Sequence, residues 1–265
     1  MDLLGLHFSS VTEVEVVDWV FRRLSTGDES ARGGWILTPN VDILRRIVHD
    51  KDVRALVDGA DVVVADGMPL IWASRLQGTP LPERVTGAAL LPALCARADN
   101  EGRRVYLLGG ASGVAEAGVI ALKRLHSNLS VDGWSPPFGQ ERTVAGMAAI
   151  RDRVLAARPD LVFCGFGFPK QERIIDTLRA DMSDAWFVGC GAALDFIAGE
   201  VPRAPGWMQR FGLEWAHRLV KEPRRMFRRY IIHDIPFALS LLGRSAWRRR
   251  RYSAVARRPS GGFEP

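Results

Sequence analysis

An aspartate that closes an all-apolar run and stands directly before a glycine is the first residue whose setting suggests chemistry. Asp66 follows Val62-Val63-Val64 and precedes Gly67. Its carboxylate is expected to be partly desolvated, which lifts a carboxyl pKa toward the range useful to a general base. An aspartate at a strand-to-helix turn also commonly caps the following helix, and the residue alone does not separate the two roles. A second candidate is the turn Gly165-Phe166-Gly167-Phe168-Pro169-Lys170-Gln171-Glu172. Pro169 suits the first position of a helix, which puts Lys170 and Gln171 in its first turn. A lysine there opposes the helix dipole, and a bound anion would resolve the conflict; a solvent-facing Lys170 and Gln171 explains the pattern equally well. The turn Gly109-Gly110-Ala111-Ser112-Gly113 could cradle a phosphate on its backbone N–H groups. It is not a full dinucleotide fingerprint, and a tight turn alone also accounts for it. Asp195 lies inside a helix start, where a structural role is the plainer reading.

Metal chemistry finds little footing. Asp50-Lys51-Asp52 spells the DxD of many metal-dependent sugar transferases, but it falls in a helical stretch and reads as a solvated face. The five histidines show no metal spacing, and the three cysteines, Cys95, Cys164 and Cys190, form no CxxC pair. Neither a metal nor a cofactor is expected. An odd, scattered cysteine set excludes a disulfide framework and suits a reducing cytoplasm.

The elements that must position these residues repeat in one order. Short apolar runs at Trp35–Leu37, Val62–Val64, Val105–Leu108, Leu161–Cys164 and Trp186–Val188 end in Thr, Asp or Gly, and a helical pattern follows most of them. Such alternation predicts an α/β fold, a Rossmann-like, largely parallel sheet flanked by helices. Ligands of these sheets bind beyond the carboxyl ends of the strands. Thr38, Asn40, Asp66, Gly109, Gly110, Gly165, Gly167, Gly189 and Gly191 all fall on that rim.

The chain has 265 residues, 47% apolar and 25% charged, which excludes a disordered or fibrous protein. No stretch reaches the length needed to cross a bilayer, and the first residues do not form a secretory signal. Between Arg203 and Arg258, fifteen Lys and Arg stand against three acids. The whole chain carries only +6, so the remainder is net acidic. A basic end on such a body is expected to meet an anionic surface or substrate. From about Gly199 the strand pattern stops, which predicts residues 1–199 as an α/β catalytic domain and residues 200–265 as a basic, amphipathic, helical appendage. Trp207, Phe211 and Trp215 recur every four residues there, and the run Ile235–Leu242 is expected to lie in a membrane interface rather than in a core.

Several long motifs then occur in order: Asp66-Gly67, Trp72-Ala73-Ser74-Arg75-Leu76, Pro80-Leu81-Pro82-Glu83-Arg84-Val85-Thr86-Gly87, Gly165 to Glu172, Asp195-Phe196-Ile197-Ala198-Gly199, Arg203-Ala204-Pro205, Gly212-Leu213-Glu214-Trp215, and Glu222-Pro223-Arg224-Arg225 through Tyr230. Together, over roughly residues 35 to 230, they resemble the WecG/TagA/CpsF glycosyltransferase family. The resemblance implies a bacterial, inverting, metal-independent enzyme that moves a sugar, N-acetylmannosamine or a related hexose, from a UDP donor to an undecaprenyl-diphosphate-linked saccharide. It implies Asp66 as the general base, Thr38, Arg84 and Gln171 as active-site residues, and Arg218, Arg225 and Arg228 as appendage residues that complete the site at the membrane. On this reading Asn40, Gly109, Gly110, Gly167, Lys170, Gln171 and Asp195 join those arginines in binding substrate. The partners are then the UDP-sugar, the lipid-linked acceptor and an anionic membrane, with no nucleic acid; a homo-oligomer is compatible with it. The protein would be cytoplasmic and peripheral on the inner face of the plasma membrane. Two departures from the family pattern stand out, Trp134-Ser135-Pro136-Pro137-Phe138-Gly139 in place of a shorter element and Leu194 in place of a phenylalanine. The alternative is a nucleotide- or nucleic-acid-binding module with a basic tail, for which the apolar run around Leu239 has no use.

Overall fold

The computed structural model describes residues 1–25, 33–210, 212–221 and 223–256, with the side chains of Arg210, Arg218, Arg225 and residues 250–256 outside the description. A two-stranded antiparallel hairpin, β1 (Asp2–Leu3) and β2 (Leu6–His7), precedes α1 (Glu13–Ser25). The chain then runs through β3 (Gly34–Leu37), α2 (Val41–His49), α3 (Lys51–Val57), β4 (Val62–Val63), α4 (Met68–Gln77) and α5 (Gly87–Glu101). It continues through β5 (Arg104–Gly109), α6 (Val114–Leu125), β6 (Ser130–Trp134), α7 (Val144–Ala157), β7 (Leu161–Gly165), α8 (Lys170–Arg179), β8 (Trp186–Gly189) and α9 (Ala193–Ala198). Among the described residues only helices follow: α10 (Gly206–Arg210), α11 (Glu214–Lys221), α12 (Pro223–Phe227), a π-helical segment (Arg228–Asp234) and α13 (Ile235–Ala256).

The expected α/β architecture is present, a six-stranded sheet in the order β4-β3-β8-β7-β5-β6 with every pairing parallel. Strand residues alternate between two cores, as the pleat requires. Trp35, Leu37, Tyr106 and Phe187 pack with α2, α3, α4, α7 and α8 on one face. Ile36, Leu107, Trp186 and Val188 pack with α1, α5, α6 and α9 on the other. Burial on both faces is why these strands read as unbroken apolar runs. Strand β6 was not legible that way, because its apolar run is interrupted: Ser130 and Asp132 are exposed while Val131 and Gly133 turn inward.

The helix after β3 lies on one face and the helix after β8, its neighbour in the sheet, lies on the other. Adjacent strands whose connections leave on opposite faces open a crevice at their carboxyl ends, where α/β sheets hold ligands.

The appendage corrects one expectation. Helix α13 packs along α4, with Leu241 1% exposed inside the same core cluster as Leu70 and Ile71, and with Phe237 and Leu242 packed against it. The run Ile235–Leu242 is therefore half core. Its other face, with Leu239 64% and Ile235 39% exposed, remains open to solvent.

Candidate active site

At the end of β4 the chain stays extended and buried through Val64 and Ala65 to Asp66, whose N–H donates to the Pro39 carbonyl at 2.9 Å. This bond draws together the segments that leave β3 and β4. The cap position of α4 is taken by Gly67, not by Asp66. Asn40 does cap α2, its Oδ1 accepting from the Ile43 N–H at 3.1 Å. Thr38 is 7% exposed and its hydroxyl donates to the Gly189 carbonyl at 3.2 Å, joining β3 to β8 at the crevice.

Asn40, Asp66 and Gly67 border a cavity of about 190 Å³. Asn40, Asp42, Asp66, Met68 and Arg84 line it from the body, and Glu214, Trp215, Arg229, Tyr230 and Asp234 line it from the appendage. The appendage comes close: a Cβ on Gly212, at φ +71°, would lie 2.1 Å from the Met68 side chain. Arg84 spans the joint. One guanidinium nitrogen donates to Glu214 Oε2 at 2.8 Å and another to the Gln209 carbonyl at 3.0 Å. Asp42 and Arg45 of α2 face Arg229 and Asp234 of the π-helical segment in a second cluster, with ion-pair distances from 2.6 to 3.7 Å. Burial, and then the neighbouring Asp42, push Asp234 up to about 6 against the opposing pull of the two guanidiniums.

Further along the same rim lie the glycine turns. Gly109, at φ +104°, stacks against Phe166 so closely that a Cβ would stand 2.8 Å from its ring. The Gly110 N–H donates to the Gly165 carbonyl at 3.0 Å. Gln171 is 3% exposed, and its Oε1 accepts from the N–H of Gly167 at 3.1 Å and of Gly191 at 3.2 Å. It thus pins the turn after β7 to the turn after β8. Its Nε2 donates to Glu172 Oε1 at 2.9 Å, while Glu172 Oε2, fully buried, has no hydrogen-bond partner. Burial raises the Glu172 carboxyl to about 7. Lys170 begins α8 as expected, but its ammonium pairs with Glu141 at 3.4 Å, so a protein carboxylate answers its conflict with the helix dipole. Asp195 sits in the first turn of α9, near enough to Cys190 to help burial raise that thiol.

Across residues 1–252 the chain matches the family model described as "Glycosyl transferase WecG/TagA/CpsF family". The chain belongs to this family. It is 31% identical over 211 residues, 80% of each chain, to the N-acetylglucosaminyldiphosphoundecaprenol N-acetyl-beta-D-mannosaminyltransferase of Bacillus spizizenii (strain W23). Proteins of the same name from Bacillus subtilis (strain 168) and Staphylococcus aureus (strain MW2) are 30% and 27% identical, the latter over 86% of this chain and 87% of its own.

On this WecG/TagA/CpsF chain the sequence-derived residues fall into three groups. Asp66, Asn40 and Arg84 meet at the cavity, with Thr38 at the strand junction beside Asn40 and Asp66. Gly109, Gly110, Gly167, Lys170, Gln171 and Asp195 lie along the rest of the rim. Arg218 and Arg225 belong to α11 and α12, and their side chains lie outside those described; Arg228 is exposed at the start of the π-helical segment. Asp42, Glu214, Tyr230, Asp234 and Glu172 were not picked out. Each acts through a partner distant in sequence or through burial, and no local spacing marks either. Among the described residues no cluster of three or more His, Cys, Asp or Glu could hold a metal ion. Asp50 instead caps α3, accepting from the N–H groups of Asp52 and Val53. No described helix is long and apolar enough to cross a membrane.

Proposed function

We propose that this glycosyltransferase moves N-acetylmannosamine or a related hexose from a UDP donor to an undecaprenyl-diphosphate-linked saccharide by a single inverting displacement without a metal. The observation that carries the reading is Asp66 on the wall of a cavity that body and appendage build together, in a chain whose relatives bear the name of that transfer. Asp66 takes the proton of the acceptor hydroxyl as its oxygen attacks the anomeric carbon from the face opposite UDP, as the base of an inverting glycosidase does for water. The bond from the anomeric carbon to the phosphate oxygen breaks, and UDP departs with the electron pair. A diphosphate is already acidic, so no general acid is needed, and backbone N–H groups at the rim with the appendage arginines Arg218, Arg225 and Arg228 stabilise its growing charge. The donor lies along the glycine turns and the acceptor at the Asp66 cavity, with Thr38 between them. The enzyme works as a peripheral protein on the inner face of the plasma membrane, which its basic appendage approaches.

The test is transfer by the purified full-length protein to a lipid-linked N-acetylglucosamine diphosphate from a panel of UDP-sugars, with the anomeric configuration of the product read by NMR. Inverted product and free UDP are expected with EDTA present. Failure with every UDP donor, or a metal requirement, overturns the reading.

A further inference from the structure

The cavity beside Asp66 presents, among the described residues, no unengaged cation to a diphosphate. Among the described residues, four carboxylates line it, Asp42, Asp66, Glu214 and Asp234, against two guanidiniums, Arg84 and Arg229. Both guanidiniums are engaged by those same acids, Arg84 by Glu214 and Arg229 by Asp42 and Asp234. Arg45 and Arg203, outside the lining, hold the same acids, so the described wall is close to charge-balanced and leaves no guanidinium unpaired for a diphosphate. A neutral ligand that donates hydrogen bonds meets the opposite situation, because ionised carboxylates only accept.

Apart from Asn40, the remaining lining is mostly apolar. Trp215 and Tyr230, from separate appendage elements, meet edge to face with centroids 6.1 Å apart and planes at 78°. Met68, Pro69 and Ala238 add to the apolar lining. Acceptors and aromatic rings lining one cavity match a pyranose, whose hydroxyls radiate from a ring with apolar C–H faces; aromatic rings supply area of that kind while their polar edges stay available. The volume, about 190 Å³, is below the roughly 300–1,000 Å³ of sites for drug-sized ligands and suits one sugar ring.

We propose that this cavity is the subsite for the acceptor's N-acetylhexosamine ring, with Trp215 and Tyr230 as its apolar platform and Asp66 facing the attacking hydroxyl. The proposal rests on the transferase reading above and deepens it. The appendage then recognises the sugar itself, and the lipid diphosphate lies outside the cavity.

The experiment uses full-length protein with a soluble, short-chain analogue of the diphosphate-linked N-acetylglucosamine, so that membrane attachment does not enter the rates. Trp215→Ala is expected to raise the acceptor KM about tenfold or more, with the UDP-sugar KM within about twofold of the unaltered protein. Trp215→Phe, which keeps a ring face, should restore most of the loss. Where the alanine variant does not fold by its thermal melt, Trp215→Leu keeps apolar bulk without a ring and carries the same expectation. An unchanged acceptor KM, or equal rises for donor and acceptor, overturns the platform while leaving the transferase reading intact. If the unaltered protein transfers no sugar from any UDP donor, the transferase reading falls and the platform with it.

Discussion

Glu172 shows how much of a site can hide behind a legible motif. Its turn stood out for its glycines, and Lys170 and Gln171 were natural candidates to face a ligand; the structure turns Gln171 inward, where it accepts from two loop N–H groups and leans on Glu172. Sequence gives the helix start but not which first-turn side chains point down into the sheet, because that depends on the approach of the β8 turn. Burial favours the neutral form of Glu172, lifting it from 4.5 to about 7. Its contribution to stability is thus fully present below pH 4.5 and is lost as pH rises through about 7. Glu172→Gln should flatten this slope, so the urea midpoint at pH 8 approaches that at pH 5 more closely than in the unaltered protein. Asp66 was legible for a sound reason, a carboxylate at the end of a buried run, and the structure gives the capping position to Gly67. Asp66→Asn is expected to lower turnover by about 100-fold or more, the scale of a lost general base. UDP affinity by calorimetry should be unchanged, and near-normal turnover would remove Asp66 from the role.

Helices and strands were legible where both faces of the sheet are covered and illegible where one is not. Five runs announced themselves, the buried edge strand β4 among them, and β6, with Ser130 and Asp132 exposed, did not. Helix α13 was misjudged for a related cause. From Ile235 to Leu242 nearly every residue is apolar, so no stripe distinguishes the face that packs on α4 from the face that does not. The structure separates them by about half a helical turn: Phe237 and Leu241 go in, Ile235 and Leu239 stay out. Leu241→Ala should cost about 2–5 kcal/mol in chemical denaturation, the usual range for a truncated core leucine. Leu239→Ala should stay within about 0.5 kcal/mol, as surface changes do. Equal effects would mean that α13 does not dock as described.

Over the whole molecule, the division of charge was readable from composition alone, whereas the joint it creates was not. Arg84 lies before α5 and Glu214 begins α11, and only the folded chain brings them to 2.8 Å. The open side of the appendage carries Trp207 at 59%, Phe227 at 55% and Trp247 at 55% exposure among its arginines, the pairing of apolar and basic groups that peripheral attachment uses. Full-length protein should therefore sediment with vesicles containing anionic lipid but not with neutral ones. Salt should weaken the effect, since charges are screened over about 10 Å at 0.1 M. Salt-independent sedimentation would leave the basic residues without that role. The packing of α13 on α4 also governs the order in which this chain can mature. Because domains form from the amino end as the polypeptide emerges from the ribosome, the whole sheet is synthesised while the apolar flank of α4 still lacks its cover. Nascent chains must carry that bare flank until α13 has left the exit tunnel, and during that interval a chaperone or a lipid surface can compete for it.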